Sequence, residues 1–277
     1  SNRQRTRWGA KQTSDTGVTF LEALNLSAIF VLTLVSPMTG SFLKCWADRA
    51  ASGKSVVDGR SFCDACGKTL TARDLIPILS WVFAGGKSRC CATPLRWTLL
   101  TPELTSLLLA VWAVLTMPLN LMLPSLIVAW LLQAIALLAV PAPRIATILG
   151  MVLAMFGLGF ALTGLTGQID ARLLGFALGL LCATVAWTGA SDPRARYLQA
   201  ATLLPAMGAL LGVAMMGLAI AVGVIVAIVH AAISNMLRRS DEDQVAPATS
   251  LAIGLASGTW LAWLYGDSLL RALAYGF

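Results

Sequence analysis

Residues 40–107 read GSFLKCWADRAASGKSVVDGRSFCDACGKTLTARDLIPILSWVFAGGKSRCCATPLRWTLLTPELTSL. This polar stretch contains a Cys-x-x-Cys pair, Cys63 and Cys66, and a second cysteine pair, Cys90 and Cys91, and it is flanked by two long apolar segments. Two cysteine pairs separated by about twenty residues, each followed by turn residues, are typical of a small zinc ribbon. The sequence therefore predicts a small Cys-rich lobe, stabilised by bound zinc, between membrane helices.

The two cysteine pairs differ in spacing. A second Cys-x-x-Cys ending at Cys91 would begin at Ser88, and a serine hydroxyl is a poor zinc ligand at neutral pH. Cys90 could replace it only if the loop distorts. Three interpretations stay open: zinc held by Cys63, Cys66, Cys90 and Cys91, a ribbon held by packing alone, or a disulfide, which a reducing compartment disfavours.

The composition places the chain in a membrane. Hydrophobic residues make up 57% of it and charged residues 12%, with a mean hydropathy of +0.78, which is more apolar surface than a soluble core of 277 residues can hide. The net charge of +7 comes from lysines and arginines scattered between apolar spans. Basic loops facing an anionic leaflet explain this pattern better than nucleic-acid binding, which we exclude.

The chain divides into four segments in order. We predict a flexible basic tail at residues 1–23, a first transmembrane helix at 24–43, the Cys-rich domain at 44–96 and a seven-helix membrane domain at 97–277. The seven spans are predicted at 97–116, 121–140, 145–165, 173–187, 198–218, 219–233 and 249–270. The fold class is thus an all-α polytopic membrane protein of about eight transmembrane helices. Residues 44–96 contain nine basic and four acidic side chains, so the positive-inside rule predicts a cytoplasmic Cys-rich domain.

Five short sequence words in this region resemble one protein family. They are GSFL at 40–43, CDACGKTL at 63–70, IPILSW at 76–81, CATPL at 91–95 and PELTSL at 102–107. In order and spacing they resemble the N-terminal half of type IV prepilin peptidases, membrane-embedded aspartic endopeptidases that also N-methylate the new amino terminus. The resemblance implies pilin-like precursors or subunits of type IV pilus and type II secretion systems as partners, S-adenosylmethionine as methyl donor, and the bacterial inner membrane as location.

The resemblance is weaker where the catalytic acids are expected. An aspartic peptidase needs two carboxylates close enough to share a proton. The family's first aspartate aligns within residues 136–147, which contain no acid, and its second aligns within 189–201. One alignment there retains Asp192, and another places Arg194 at the aspartate position. Asp170 is predicted to lie on the opposite membrane face, as a helix cap.

Two functional hypotheses follow from these acids. In the first, the chain is a non-catalytic relative that binds pilin-like precursors because its aspartate dyad is incomplete. In the alternative, it is an active leader peptidase and N-methyltransferase that uses Asp192 with a second acid recruited from Asp48, Asp74 or Glu103. Asp192 and Glu103 are the candidate catalytic residues, although Glu103 could equally serve as a helix-dipole partner in the first turn of a helix.

Overall fold

The computed structural model describes residues 2–55, 59–164, 168–188, 203–237 and 247–275. This part of the chain is helical and contains no strand, which confirms the predicted all-α class. Eight α-helices follow one another in the order α1 Asn2–Ala51, α2 Leu79–Phe83, α3 Thr101–Thr116, α4 Leu119–Leu138, α5 Pro143–Leu162, α6 Ile169–Thr188, α7 Leu203–Leu237 and α8 Pro247–Tyr275. Two short 3-10 turns, Ala72–Leu75 and Trp97–Leu99, flank α2.

Within the described part of the chain, five helical segments are long and apolar enough to cross a membrane. They are Ser27–Ala51, Leu119–Leu138, Pro143–Leu162, Ile169–Ala186 and Leu203–Met236, and α3 is a shorter apolar helix. Prolines mark the joints, since Pro118 precedes α4 and Pro143 begins α5, where a missing amide proton costs no helical hydrogen bond. The chain is therefore a multi-pass membrane protein.

Helix α1 is longer than the sequence predicts. It begins at Asn2, where a basic tail was expected up to residue 23, and it continues to Ala51, beyond the predicted end at residue 43. The first proline of the chain, Pro37, lies inside this helix, so no proline interrupts it before that point. The Cys-rich lobe consequently begins after Ala51 rather than at residue 44.

Helix α7 combines the two spans that were predicted to meet at residues 218 and 219. The structure has one long helical element with a break at Gly212, where φ is 76° and ψ is 171°. Glycine adopts this conformation because it has no Cβ. The carbonyl carbon and oxygen of Ala171 in α6 lie about 3.5 Å from where a Cβ of Gly212 would be, so the break packs directly against α6.

Small residues bring the helices of the bundle together. A Cβ on Gly223 of α7 would lie 3.0 Å from the carbonyl oxygen of Gly254 in α8, closer than side chains normally allow. Gly40 of α1 packs against the backbone of Pro102 and the Cβ of Ser106 in α3. Such close approach of helices is common in membranes, where dispersion contacts replace hydrophobic burial. The α1–α3 contact holds the two helices between which the Cys-rich lobe emerges.

Candidate metal centre and acidic side chains

The first cysteine pair lies in a tight turn. The backbone N–H of Cys63 donates to the carbonyl of Lys68 at 2.9 Å, and the N–H of Gly67 donates back to the carbonyl of Cys63 at 2.8 Å. An antiparallel bridge between Phe62 and Thr69 closes the turn. Gly67 has a φ of 71°, which a glycine adopts without steric cost.

The second turn has the same hydrogen-bond pattern. The N–H of Ser88 donates to the carbonyl of Thr93 at 2.8 Å, and the N–H of Ala92 donates to the carbonyl of Ser88 at 2.8 Å. A bridge between Lys87 and Pro94 closes it. Ala92 has a φ of 56°, so an alanine occupies the left-handed position that glycine fills in the first turn.

The two turns therefore correspond residue by residue. Ser88 occupies the position of Cys63, and Cys91 occupies the position of Cys66. This register confirms that the fourth ligand position of a symmetrical ribbon is a serine. Cys90 has no counterpart among the cysteines of the first turn, yet its thiol joins the cluster.

All four sulfur atoms lie within 4.8 Å of one another. The Sγ atoms of Cys66 and Cys90 are 3.2 Å apart, those of Cys63 and Cys91 are 3.8 Å apart, and those of Cys90 and Cys91 are 3.9 Å apart. Tetrahedral zinc with Zn–S bonds of about 2.3 Å separates its sulfurs by about 3.8 Å. The four thiols therefore fit a zinc ion after small side-chain movements, and they could bind such a metal.

The hydroxyl of Ser88 lies inside this cluster although it is not a predicted ligand. Its side chain is buried, and its Oγ atom is 3.4 Å from the Sγ of Cys63 and 3.0 Å from the Sγ of Cys90. Thr93 Oγ1 is similarly 3.1 Å from the Sγ of Cys91. Hydroxyls that hydrogen-bond to thiolates orient them toward a metal and favour their charged form.

The thiols differ in acidity for identifiable reasons. The Ser88 hydroxyl, with the backbone N–H groups of Cys66 and Ala65, lowers the pKa of Cys63 to about 6. The hydroxyl and backbone of Thr93 lower the pKa of Cys91. The Lys68 backbone N–H favours the thiolate of Cys66, but the neighbouring thiols and desolvation oppose it and raise the pKa of Cys66 to about 12. A bound cation would relieve this repulsion between thiolates.

Glu103 connects the Cys-rich lobe to the membrane helices. Its Oε2 atom accepts a hydrogen bond from the backbone N–H of Ile78 at 2.6 Å. Ile78 has a φ of 61°, which is rare for a β-branched residue and indicates a strained turn. Glu103 lies in the first turn of α3, as predicted. From there its carboxylate accepts the hydrogen bond of Ile78, which lies 25 positions earlier in the chain.

The remaining candidate acids are placed as follows. Asp192 and Arg194 lie outside the described residues. Asp170 is exposed in the first turn of α6. Asp48 is exposed on α1 and forms an ion pair with Lys44. Among the described residues, no hydrogen bond joins two of these carboxylates.

Asp74 forms part of a local cap in the lobe. Its Oδ2 accepts hydrogen bonds from the Thr71 hydroxyl at 2.7 Å and from the Thr71 N–H at 2.9 Å. These bonds, with the charge of Arg89 nearby, hold the pKa of Asp74 below its ordinary value. The carboxylate therefore stabilises the lobe through these hydrogen bonds.

Sequence reasoning missed several polar contacts between helices. Gln133 of α4 donates from Nε2 to the carbonyl of Pro102 at 2.7 Å and is buried. Arg172 of α6 is also buried, and its guanidinium lies 3.3 Å from the carbonyl oxygen of Gly157. A polar residue inside an otherwise apolar helix was the available signal in both cases. Both donate to backbone carbonyls, which no sequence pattern identifies, and Gln133 also donates to the Thr105 hydroxyl at 3.0 Å.

Comparison with known proteins gives two matches. Residues 34–117 match a family described as Bacterial Peptidase A24 N-terminal domain. Over 254 residues the chain is 29% identical to a Prepilin leader peptidase/N-methyltransferase of Bacillus subtilis (strain 168), an alignment that covers 88% of this chain and 96% of that protein. No solved structure matches. The segment matched by the family contains both cysteine pairs and Glu103.

Proposed function

We propose that the chain is a member of the type IV prepilin peptidase family that binds pilin-like precursors in the membrane without cleaving them. The similarity to a prepilin leader peptidase extends over most of the chain, so a groove for a pilin-like segment is the feature that a non-catalytic relative would keep. The proposal depends on one observation, which is the absence of a carboxylate from residues 136–147.

Residues 136–147 form the joint between α4 and α5. Helix α4 ends at Leu138, and α5 begins at Pro143. The family resemblance places the first catalytic aspartate here, but the sequence is ALLAVPAPRIAT. Its only charged side chain is Arg144, which is exposed. A guanidinium cannot act as the base toward water, because it stays protonated at all relevant pH values.

Asp170 is poorly placed to replace the missing acid. It lies at the beginning of α6, whereas the joint lies at the beginning of α5, the helix that precedes α6 in the chain. Helix α5 has 20 residues and is therefore about 30 Å long. Asp170 thus belongs to the end of the bundle remote from residues 136–147.

Glu103 is the second acid that an active enzyme could recruit. Its carboxylate already accepts the N–H of Ile78, and moving it would leave a half-buried amide without that partner, at a cost of about 1–3 kcal/mol. We therefore assign Glu103 to positioning the Cys-rich lobe rather than to peptide hydrolysis.

The location and cofactors follow from the same proposal. The excess of basic residues in 44–96 favours a cytoplasmic Cys-rich lobe on a bacterial inner membrane. Cys63, Cys66, Cys90 and Cys91 would hold a structural zinc ion, which stabilises the lobe when bound because its ligands lie on two turns. S-adenosylmethionine would be needed only if the methyltransferase activity of the family is retained.

A cleavage assay tests the proposal. The purified full-length protein in detergent is incubated with a precursor pilin, and leader loss is followed by mass spectrometry. We expect no cleavage, together with co-purification of the uncleaved precursor. Asp192→Ala and the matched control Asp170→Ala should both leave precursor binding unchanged.

The active alternative makes the opposite prediction. Leader loss that disappears in Asp192→Ala but persists in Asp170→Ala would refute the non-catalytic reading and assign Asp192 as a catalytic acid. If Glu103→Gln also abolished cleavage without altering the thermal stability of the protein, Glu103 would be its partner. The absence of both cleavage and precursor binding would refute the proposal as well.

A further inference from the structure

The Cys-rich lobe exposes large apolar side chains on one of its elements. In α2, Leu79, Val82 and Phe83 are 51%, 55% and 77% exposed. Their spacing of i, i+3 and i+4 places them on one side of the helix. Leu75 and Ile76, just before α2, are also exposed. We call these five residues the α2 apolar face. In a small polar lobe such a cluster marks an interaction surface.

The opposite side of this segment packs inward. The ring of Trp81 lies 3.1 Å from where a Cβ of Gly86 would be, and Trp81 is less exposed than its neighbours Val82 and Phe83. The lobe thus buries one aromatic side chain against its own backbone while the α2 apolar face points away from it. The α2 apolar face is therefore part of a folded segment.

The α2 apolar face lies next to the end of a membrane helix. Ile78, the residue that precedes α2, is joined to Glu103 in the first turn of α3 by the 2.6 Å hydrogen bond. Trp97 lies just before α3 and is 64% exposed. Tryptophan is enriched where a membrane helix meets the headgroup region. The hydrogen bond therefore places α2 near the level of the lipid headgroups.

The surrounding charges complement an anionic surface. Arg73, Lys87 and Arg96 are exposed and lie on either side of α2 in the chain, and Arg89, also exposed, lies 3.7 Å from Asp74. Basic side chains next to an apolar helix face are typical of segments that lie in the plane of a membrane interface.

Exposed apolar side chains also follow Glu103 along α3. Leu104 and Leu108, one turn apart on α3, are both exposed. On a membrane helix, such side chains face lipid. Exposed apolar side chains therefore follow both partners of the hydrogen bond between Ile78 and Glu103, which favours the bilayer over a protein partner as the occupant of the α2 apolar face.

We propose that α2 lies in the interfacial layer of the bilayer and anchors the Cys-rich lobe to anionic phospholipid. The hydrogen bond between Ile78 and Glu103 fixes the depth of α2 relative to α3, and the apolar face enters the lipid. The lobe is thereby held in one orientation beside the membrane bundle.

Depth-dependent fluorescence quenching tests this anchor. A fluorescent amino acid is introduced at position 83 of the full-length protein, with all cysteines retained, and the protein is placed in nanodiscs of phosphatidylcholine and phosphatidylglycerol. A control variant carries the same label at position 68, where Lys68 is exposed on the first cysteine turn. Nitroxide-labelled lipids should quench the label at 83 severalfold more than the label at 68.

A second measurement changes the lipid composition of the nanodisc. Replacing phosphatidylglycerol by phosphatidylcholine should reduce quenching at 83, because the basic residues then lose their counter-charge. Equal quenching at positions 83 and 68 would overturn the proposal. A label at 83 that lipids do not quench, but whose emission changes with protein concentration, would assign the face to a second copy of the chain and would also overturn it.

Discussion

The register of the two cysteine turns predicts how zinc binding responds to moving one thiol. In the Cys90→Ser variant the cluster loses a thiol that has no counterpart in the first turn. In the double variant Ser88→Cys, Cys90→Ser, a thiol occupies the position equivalent to Cys63, where the Ser88 Oγ is already 3.4 Å from the Cys63 Sγ. We expect the single variant to bind zinc weakly and the double variant to bind it as well as the natural sequence.

The size of the loss follows from the number of ligands. Structural zinc contributes roughly 10–16 kcal/mol through four ligands, so one thiolate is worth about 2.5–4 kcal/mol. At about 1.4 kcal/mol per decade, Cys90→Ser should reduce zinc affinity on the order of a hundredfold to a thousandfold. The protein with its natural sequence should bind about one zinc ion per chain.

Chelator competition measures these affinities on the full-length protein in detergent. Zinc remaining after titration with a chelator is quantified by elemental mass spectrometry, and Cys182→Ser serves as the control because Cys182 is an exposed thiol of α6 outside the cluster. If Cys90→Ser bound zinc with natural affinity, the role of Cys90 as fourth ligand would be wrong. If the double variant failed to recover affinity, the correspondence of Ser88 with Cys63 would be wrong.

Three further predictions concern the stability of the same region. Gly40→Ala would press a Cβ against the backbone carbonyl of Pro102 and place it 2.9 Å from the Cβ of Ser106, so we expect it to lower the free energy of unfolding by about 1–3 kcal/mol or more, whereas Gly159→Ala, with no neighbour within 4 Å, should not. Ala92→Gly should raise the melting temperature of the lobe by relieving a positive φ worth about 1 kcal/mol, and an unchanged or lower value would contradict the strained turn. Because hydrogen bonds from Thr71 lower the folded-state pKa of Asp74, its carboxylate stabilises the lobe above the unfolded pKa of about 4 and loses this effect as the pH falls below it. The protection factor of the Thr71 amide, which compares its hydrogen exchange with the intrinsic rate at the same pH, should therefore fall on acidification in the natural protein but much less in Asp74→Asn.

Local patterns in the sequence were sufficient to predict much of the lobe. The spacing of the cysteines predicted two turns and identified Ser88 as the non-cysteine position, and the hydrogen bonds of both turns confirm that register. The participation of Cys90 was harder to predict, since it depends on how two turns approach each other in space. A distance of 3.2 Å between Cys66 and Cys90 is a tertiary property with no signal in spacing.

The difference between local sequence patterns and tertiary contacts also explains why the predicted spans at 198–218 and 219–233 differ from α7. Hydropathy predicts apolar segments, but residues 198–233 are apolar almost throughout, so nothing in composition marks the break. The break lies at Gly212 because this glycine packs against Ala171 of α6. Likewise, the first-turn position of Glu103 was predicted from its place in the sequence, while its bond to Ile78 crosses 25 residues and required the folded lobe.

The structure assigns physical roles to the five sequence words that resemble type IV prepilin peptidases. Gly40 of GSFL permits the close contact of α1 with α3, the cysteine words provide the thiol cluster, and Ile78 of IPILSW binds Glu103 of PELTSL. Each of these roles concerns folding or anchoring of the N-terminal half. A relative that only binds a precursor needs them as much as an enzyme does, so their retention favours neither hypothesis. Under the proposed function, hydrolysis would depend instead on a second carboxylate, and the α4–α5 joint, where the resemblance predicts one, presents Arg144 as its only charged side chain.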